Sequence, residues 1–257
     1  MKIKIIYKFC FFLYLFHFSV LALPISPDGI GAIVEEKLRT EGYYFPNREI
    51  PLYAITDEGK FVHDFEYSIV YAKENFEDIQ KGELCIQESG QKYLKIKFSD
   101  FISLNYEGRY FIVYEQKKGF VRILRDTVRN MTDKNPKDLS LGFFVKLSDL
   151  KKANFYSETW IGIIQKKETL YNSVKIGLNL RKSPDSKSEK LTKILKTNYE
   201  IIPSRETKGQ WLKVKVLLHR GEFCEAGDDV IEKEWEGWIK AIDDSGKPNV
   251  WFFASGC

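Results

Sequence analysis

A nucleophilic cysteine needs a histidine base beside it, and a zinc centre needs several His, Cys or carboxylate ligands closely spaced. The chain holds four cysteines and three histidines in 257 residues. One of each falls in an apolar N-terminal run described below, leaving Cys85, Cys224, Cys257, His63 and His219. No C-x-x-C pair occurs among them, so neither a metal nor a cofactor is expected. The best nucleophile set is Cys85 with His63-Asp64. Cys85 sits in the apolar, strand-like Leu84-Cys85-Ile86, however, without the Gly/Ser-rich helix start that lowers a thiol pKa. A G-x-S-x-G elbow and a Walker loop are both absent from the sequence. The reading is no enzyme. What remains is stacking chemistry. Trp211, Trp235, Trp238 and Tyr199 lie close in sequence, and aromatic clefts recognise peptides and sugars through ring faces plus a few polar contacts. The alternative for each ring is that it plugs a core.

The elements that would carry these rings are strands. Trp211-Leu212-Lys213-Val214-Lys215-Val216 alternates, placing Trp211, Lys213 and Lys215 on one face and Leu212, Val214 and Val216 on the other. With Tyr199-Glu200-Ile201-Ile202 and a turn-rich Ser204 to Gln210 before it, this predicts a hairpin. The same short β rhythm recurs in Tyr93 to Phe98, Tyr110 to Tyr114, Phe120 to Leu124 and Phe143 to Leu147. Helical signals are few. Ile30 to Glu41 is the best, with Asp28 as N-cap and Gly42 as stop, and Tyr71 to Lys81 is a weaker second. The fold class is therefore mainly β, with a minor helix near the mature N-terminus.

The first 22 residues read as an export signal. Lys2, Lys4 and Lys8 precede an apolar run from Phe9 to Leu23, which closes on Val20-Leu21-Ala22 with small residues at the positions a signal peptidase needs. Fifteen residues are short of the about 20 that span a bilayer, so the mature chain is read as exported, periplasmic or secreted, and not membrane-spanning. Forty Lys and Arg against 36 Asp and Glu give +4, which falls to +1 once the three leader lysines are gone. That balance argues against a nucleic-acid partner. In an oxidising compartment two of the three remaining cysteines are expected to pair. The candidate bridge is Cys224–Cys257, tying an aromatic tail to an acidic loop and closing about 32 residues for roughly 3–4 kcal/mol. Cys85 then reads as a buried thiol.

Internal similarity is present in two competing registers. One matches Gly90 to Lys97 and Tyr106 to Phe111 to the C-terminal Gly209 to Lys215 and Trp235 to Lys240. The other matches Gly119 to Ile123 and Gly142 to Lys146 to those same elements. Depending on the register, residues 46–165 hold one decorated unit or two degenerate ones.

The C-terminal motifs are more specific. Leu178-Asn179-Leu180-Arg181-Lys182-Ser183-Pro184, then Gly209-Gln210-Trp211-Leu212-Lys213-Val214, then Glu236-Gly237-Trp238-Ile239 occur in that order. Together they resemble the bacterial SH3 (SH3b) domain, over about residues 168–243. The chain departs from that pattern in a long acidic insertion from Leu217 to Trp235. The resemblance implies small SH3-like barrels in tandem, with Leu178 and Leu180 inward, and Gly237 letting two backbones approach. It divides the chain into a signal peptide (1–22), an N-terminal extension (23–45), a β-rich SH3-like region (46–165) and an SH3b domain (166–257). It further implies a non-catalytic module that binds peptidoglycan or an envelope protein through Trp211, Trp235, Trp238 and Tyr199. A protein scaffold without wall binding is the alternative, and a cysteine cell-wall hydrolase is a remote one.

Overall fold

The computed structural model describes residues 28–35, 49–56, 58–71, 84–88, 92–93, 101–105, 108–123, 143–195, 198–220 and 230–252. The protein is mainly β, as its alternating runs predict, with two helices shorter than two turns among the described residues. The segment expected to be a signal, with Cys224 and Cys257 of the expected disulfide, lies outside those residues.

The first sheet begins with β1 (Gly31–Glu35), β2 (Ile50–Ile55), β3 (Phe61–Tyr71), β4 (Leu84–Glu88) and β5 (Lys92–Tyr93). It continues with β6 (Phe101–Asn105), β7 (Gly108–Lys117), β8 (Phe120–Ile123), β9 (Phe143–Lys146) and, after α1 (Leu147–Lys152), β10 (Phe155–Thr159). Its order is β10-β1-β7-β8-β9-β2-β3-β4-β5, with β6 also on β7. Every ladder is antiparallel. The helix α2 (Trp160–Ile164) then leads to β11 (Tyr171–Asn172), β12 (Leu178–Arg181), β13 (Lys190–Ile194), β14 (Tyr199–Lys208), β15 (Trp211–His219), β16 (Ile231–Lys240) and β17 (Val250–Trp251).

These later strands repeat the earlier order. β13-β12-β16-β15-β14 form one ladder and β11-β17 another. A bridge joins them, with Leu170 and Ile201 exchanging N–H···O bonds of 2.8 and 3.0 Å. Followed from β17, the path is β17-β11-β14-β15-β16-β12-β13; followed from β10, it is β10-β1-β7-β8-β9-β2-β3. Each later strand thus takes the place of an earlier one, while β4, β5 and β6 are additions to the first unit. Register agrees as well. Lys117↔Phe120↔Lys146 in the first unit corresponds to Lys208↔Trp211↔Lys240 in the second. Arg122↔Phe144 likewise corresponds to Lys213↔Trp238. The geometry follows the second of the two sequence registers, the one through Gly119 and Gly142.

Strand alternation builds two cores that share a wall. Ile33, Phe111 and Val113 face the first core with Leu52, Val121, Val145 and Phe155. Their neighbours on the same strands, Ala32, Val34 and Ile112, face the second core with Leu180, Ile201, Leu212, Val214, Ile239 and Trp251. Residues 32–34 of β1 and 111–113 of β7 are therefore apolar on both sides. Trp160, 1% exposed, pins this junction. Its Nε1 donates to the Gly29 carbonyl at 2.8 Å and its ring meets Trp251 edge-on at 5.5 Å.

This wall corrects the N-terminal helix. The Ile30 to Glu41 segment was expected to be helical from its cap and spacing, but residues 31–35 are β1, paired with β10 on one side and β7 on the other. A strand buried on both faces is apolar throughout and loses the period-2 signature that separates strand from helix. β1 also falls in the stretch expected to be an extension, and it is an integral strand of the first sheet. Of the second helix candidate, Tyr71 is the last residue of β3 and the rest lies outside the described residues. The hairpin before Trp211 is longer than expected: Ser204 to Lys208 continue β14 through a bulge, and only Gly209-Gln210 turn.

Candidate functional site

The β15–β16 ladder divides the four predicted aromatic residues into two pairs. Leu212, Val214 and Val216 are buried, opposite Ile239, Gly237 and Trp235. Trp211, Lys213 and Lys215 point to the other face, opposite Lys240, Trp238 and Glu236. Trp211 and Trp238 are thus diagonal neighbours on the outer face, a spacing within reach of aromatic side chains. Both are half-buried. Trp235 and Tyr199 lie instead at the rim of the inner face, their rings stacked with centroids 6.4 Å apart, packed on the second core. The outer pair can contact a ligand; the inner pair caps the core.

The outer face is completed by β12. Arg181 pairs with Trp238, so Arg181, Trp238 and Lys213 form one row across three strands. Arg181 Nη1 donates to the Ser188 carbonyl at 2.6 Å, which fixes the guanidinium beside the turn after β12. Lys213 donates to Glu206 and Glu236 at 3.0 and 3.1 Å, and these two carboxylates hold its ammonium above the usual lysine range. Lys240 pairs with Asp244 at 2.5 Å. Lys213 and Lys240 are therefore neutralised by built-in carboxylates, while Arg181 and Lys208, beside Trp238 and Trp211, make no ion pair within 4 Å among the described residues. Close packing makes the row possible. A Cβ on Gly237 would lie 2.5 Å from the Arg181 carbonyl oxygen, so β16 approaches β12 only because that residue has no side chain.

The acidic insertion lengthens this hairpin. Leu217↔Glu234, Leu218↔Lys233 and His219↔Ile231 continue the ladder beyond Val216↔Trp235. On its far side a buried polar group forms. His219 Nε2 lies 3.1 Å from Glu200 Oε2, and Thr169 donates to the other carboxylate oxygen at 3.0 Å. Burial first, and then Glu200, push the Tyr171 hydroxyl up to about 12.

The sequence-selected nucleophile set does not assemble. Cys85 is fully buried in β4, opposite Val70, with its thiol donating to the Val70 carbonyl at 3.5 Å. His63 is at the other end of β3, beside Tyr53.

Sequence reasoning missed a second aromatic cluster, on the outer face of the first unit. Phe120 stacks on Phe61 at 3.9 Å with planes 10° apart, and meets Tyr53 edge-on at 5.1 Å. Phe144 meets Phe61 edge-on at 5.1 Å. The Tyr53 hydroxyl donates to Asp149 Oδ2 at 2.8 Å, and Lys152 donates to Oδ1 at 3.1 Å. Burial, then the Asp149 hydrogen bond and charge, push Tyr53 up to about 12. For Asp149 burial acts the opposite way, but the bonds from Tyr53 and Lys152, aided by the charges of Lys152 and Lys146, outweigh it and hold the carboxyl below its usual range. Four strands and a helix supply these residues from positions as far apart as 53 and 149, so no local spacing announces them. The signal that was available is the register equating Phe120 with Trp211.

No family model, no curated protein and no solved structure matches this chain, and the two repeated faces are its own guide to what it does.

Proposed function

We propose that the protein is an exported, non-catalytic binding module of the bacterial cell envelope, built from two SH3-like units. It recognises cell-wall peptide through the outer face of β12, β15 and β16. One observation carries the reading: Trp211 and Trp238 sit diagonally on the outside of a rigid hairpin, next to Arg181, instead of filling the core. Half-exposed rings on paired strands offer apolar contact at little entropic cost, and Arg181 offers a fork suited to a carboxylate. The repeated strand order supports the tandem arrangement, and the N-terminal leader supports export. The separation of Cys85 from His63 supports a role in binding over hydrolysis.

The test is sedimentation of the mature chain with purified peptidoglycan. Binding that falls about tenfold in Trp211→Ala and Trp238→Ala, with folding intact by circular dichroism, supports the module. No sedimentation of the folded wild type overturns wall binding and favours the protein scaffold. Release of soluble wall fragments would overturn the non-catalytic reading.

A further inference from the structure

The first unit carries its own version of the outer face, and its charge differs. Lys117 and Lys146 flank Phe120 on neighbouring strands, on the same side of the sheet. Two inter-strand spacings set the lysine backbones about 10 Å apart, with one half-buried ring between them. Lys117, Lys118, Lys146 and Lys151, at this end of the sheet, are exposed and make no ion pair within 4 Å among the described residues, whereas Lys152 beside them pairs with Asp149. In the second unit Lys213 and Lys240 are matched by Glu206, Glu236 and Asp244, while Lys208, the counterpart of Lys117, is exposed. Among the described residues both lysines that flank Phe120 are thus unpaired, where Trp211 has one paired and one unpaired neighbour.

The hairpin tip reinforces the contrast. Lys118 and Gly119 turn β7 into β8 with φ of 49° and 82°. A turn with two positive φ values favours Asn or Gly at both positions. A lysine in the first is held in the left-handed region, at a local cost, and its side chain is exposed.

From these observations we propose that the Lys117–Phe120–Lys146 face is a second binding site, independent of the Trp211 face, for an acidic glycan bearing uronic-acid carboxylates. A pyranose ring packs against the solvent-facing side of the Phe120–Phe61 stack, and the carboxylates of its neighbours along the polymer reach the two lysines. Asp149, ionised and fixed by Tyr53 and Lys152 at the edge of the cluster, is placed to accept from a sugar hydroxyl.

The experiment is calorimetric titration of the mature chain with oligogalacturonate, with neutral dextran oligosaccharide and poly(dT) as comparators. Binding of oligogalacturonate that weakens with added salt, and exceeds that of dextran, is expected. The double variant Lys117→Gln/Lys146→Gln changes only exposed side chains; it is expected to bind about tenfold more weakly and to lose most of the salt dependence. Phe120→Ala is expected to bind at least tenfold more weakly at every salt concentration. Trp211→Ala is expected to leave uronate binding unchanged, so failure of the wall-binding reading and failure of this one can be told apart. Absence of binding by the folded wild type, equal binding of dextran, tighter binding of poly(dT), or indifference to the lysine double variant would each overturn the site.

Discussion

Tyr53 and Asp149 share one hydrogen bond and shift in opposite directions, so each reports on the other. A carboxylate held below its usual range stabilises the fold at pH values above the ordinary aspartate value of 3.8, and that stabilisation drains away as pH falls below it. Tyr53→Phe removes one of the two donors. The expected result is a rise in the Asp149 pKa, followed by its carboxyl carbon resonance, and acid unfolding that begins at higher pH. The tyrosine has the reverse sign: with its proton retained to about 12, stability declines as pH climbs from the ordinary value of 10 towards that point. Absorbance titration should therefore find Tyr53, together with Tyr171, still protonated well above pH 10. At the β7–β8 turn, Lys118→Asn is expected to gain up to about 1 kcal/mol by easing the left-handed backbone, read as a higher urea midpoint. The same change removes a charge from the lysine cluster and should weaken uronate binding.

Among the strands, legibility in the sequence followed the number of buried faces. Leu178, Leu180 and the alternating β15 were readable because each has one face in the core and one outside. Gly237 was readable too, as a point of close approach, and the structure places the Arg181 carbonyl oxygen where its Cβ would go. Gly237→Ala is expected to lose about 1–3 kcal/mol by prising β16 from β12, measured by chemical denaturation. It should also disturb the Arg181–Trp238 row. β1 was unreadable for the converse reason. Ala32, Ile33 and Val34 are buried alternately against two different cores, so they show no polar side to give the period away. The Phe61–Phe120 stack escaped because cross-strand contacts between distant segments leave no mark in local spacing.

For the molecule as a whole, the shared wall makes the two units one cooperative body. Trp160 packs on Trp251, and its indole nitrogen reaches Gly29, so one side chain bonds elements near both ends of the described chain. Trp160→Ala is expected to cost about 3–5 kcal/mol. Calorimetry should show a single transition moved to lower temperature, and two resolved transitions in the wild type would contradict the common wall. The sequence resemblance covered only the last third and could not foresee this coupling, because repeat detection compares segments and says nothing of how they are joined.

The β1–β7 wall also bears on how the protein is made. Its second side, Ala32, Val34 and Ile112, is covered by residues as late as Val250, Trp251 and Phe252. A first sheet formed without Val250, Trp251 and Phe252 would carry a bare oily flank. Cutting the chain ahead of Val250 should thus be far more damaging than the loss of three side chains suggests, yielding a product that clumps instead of a shortened working half.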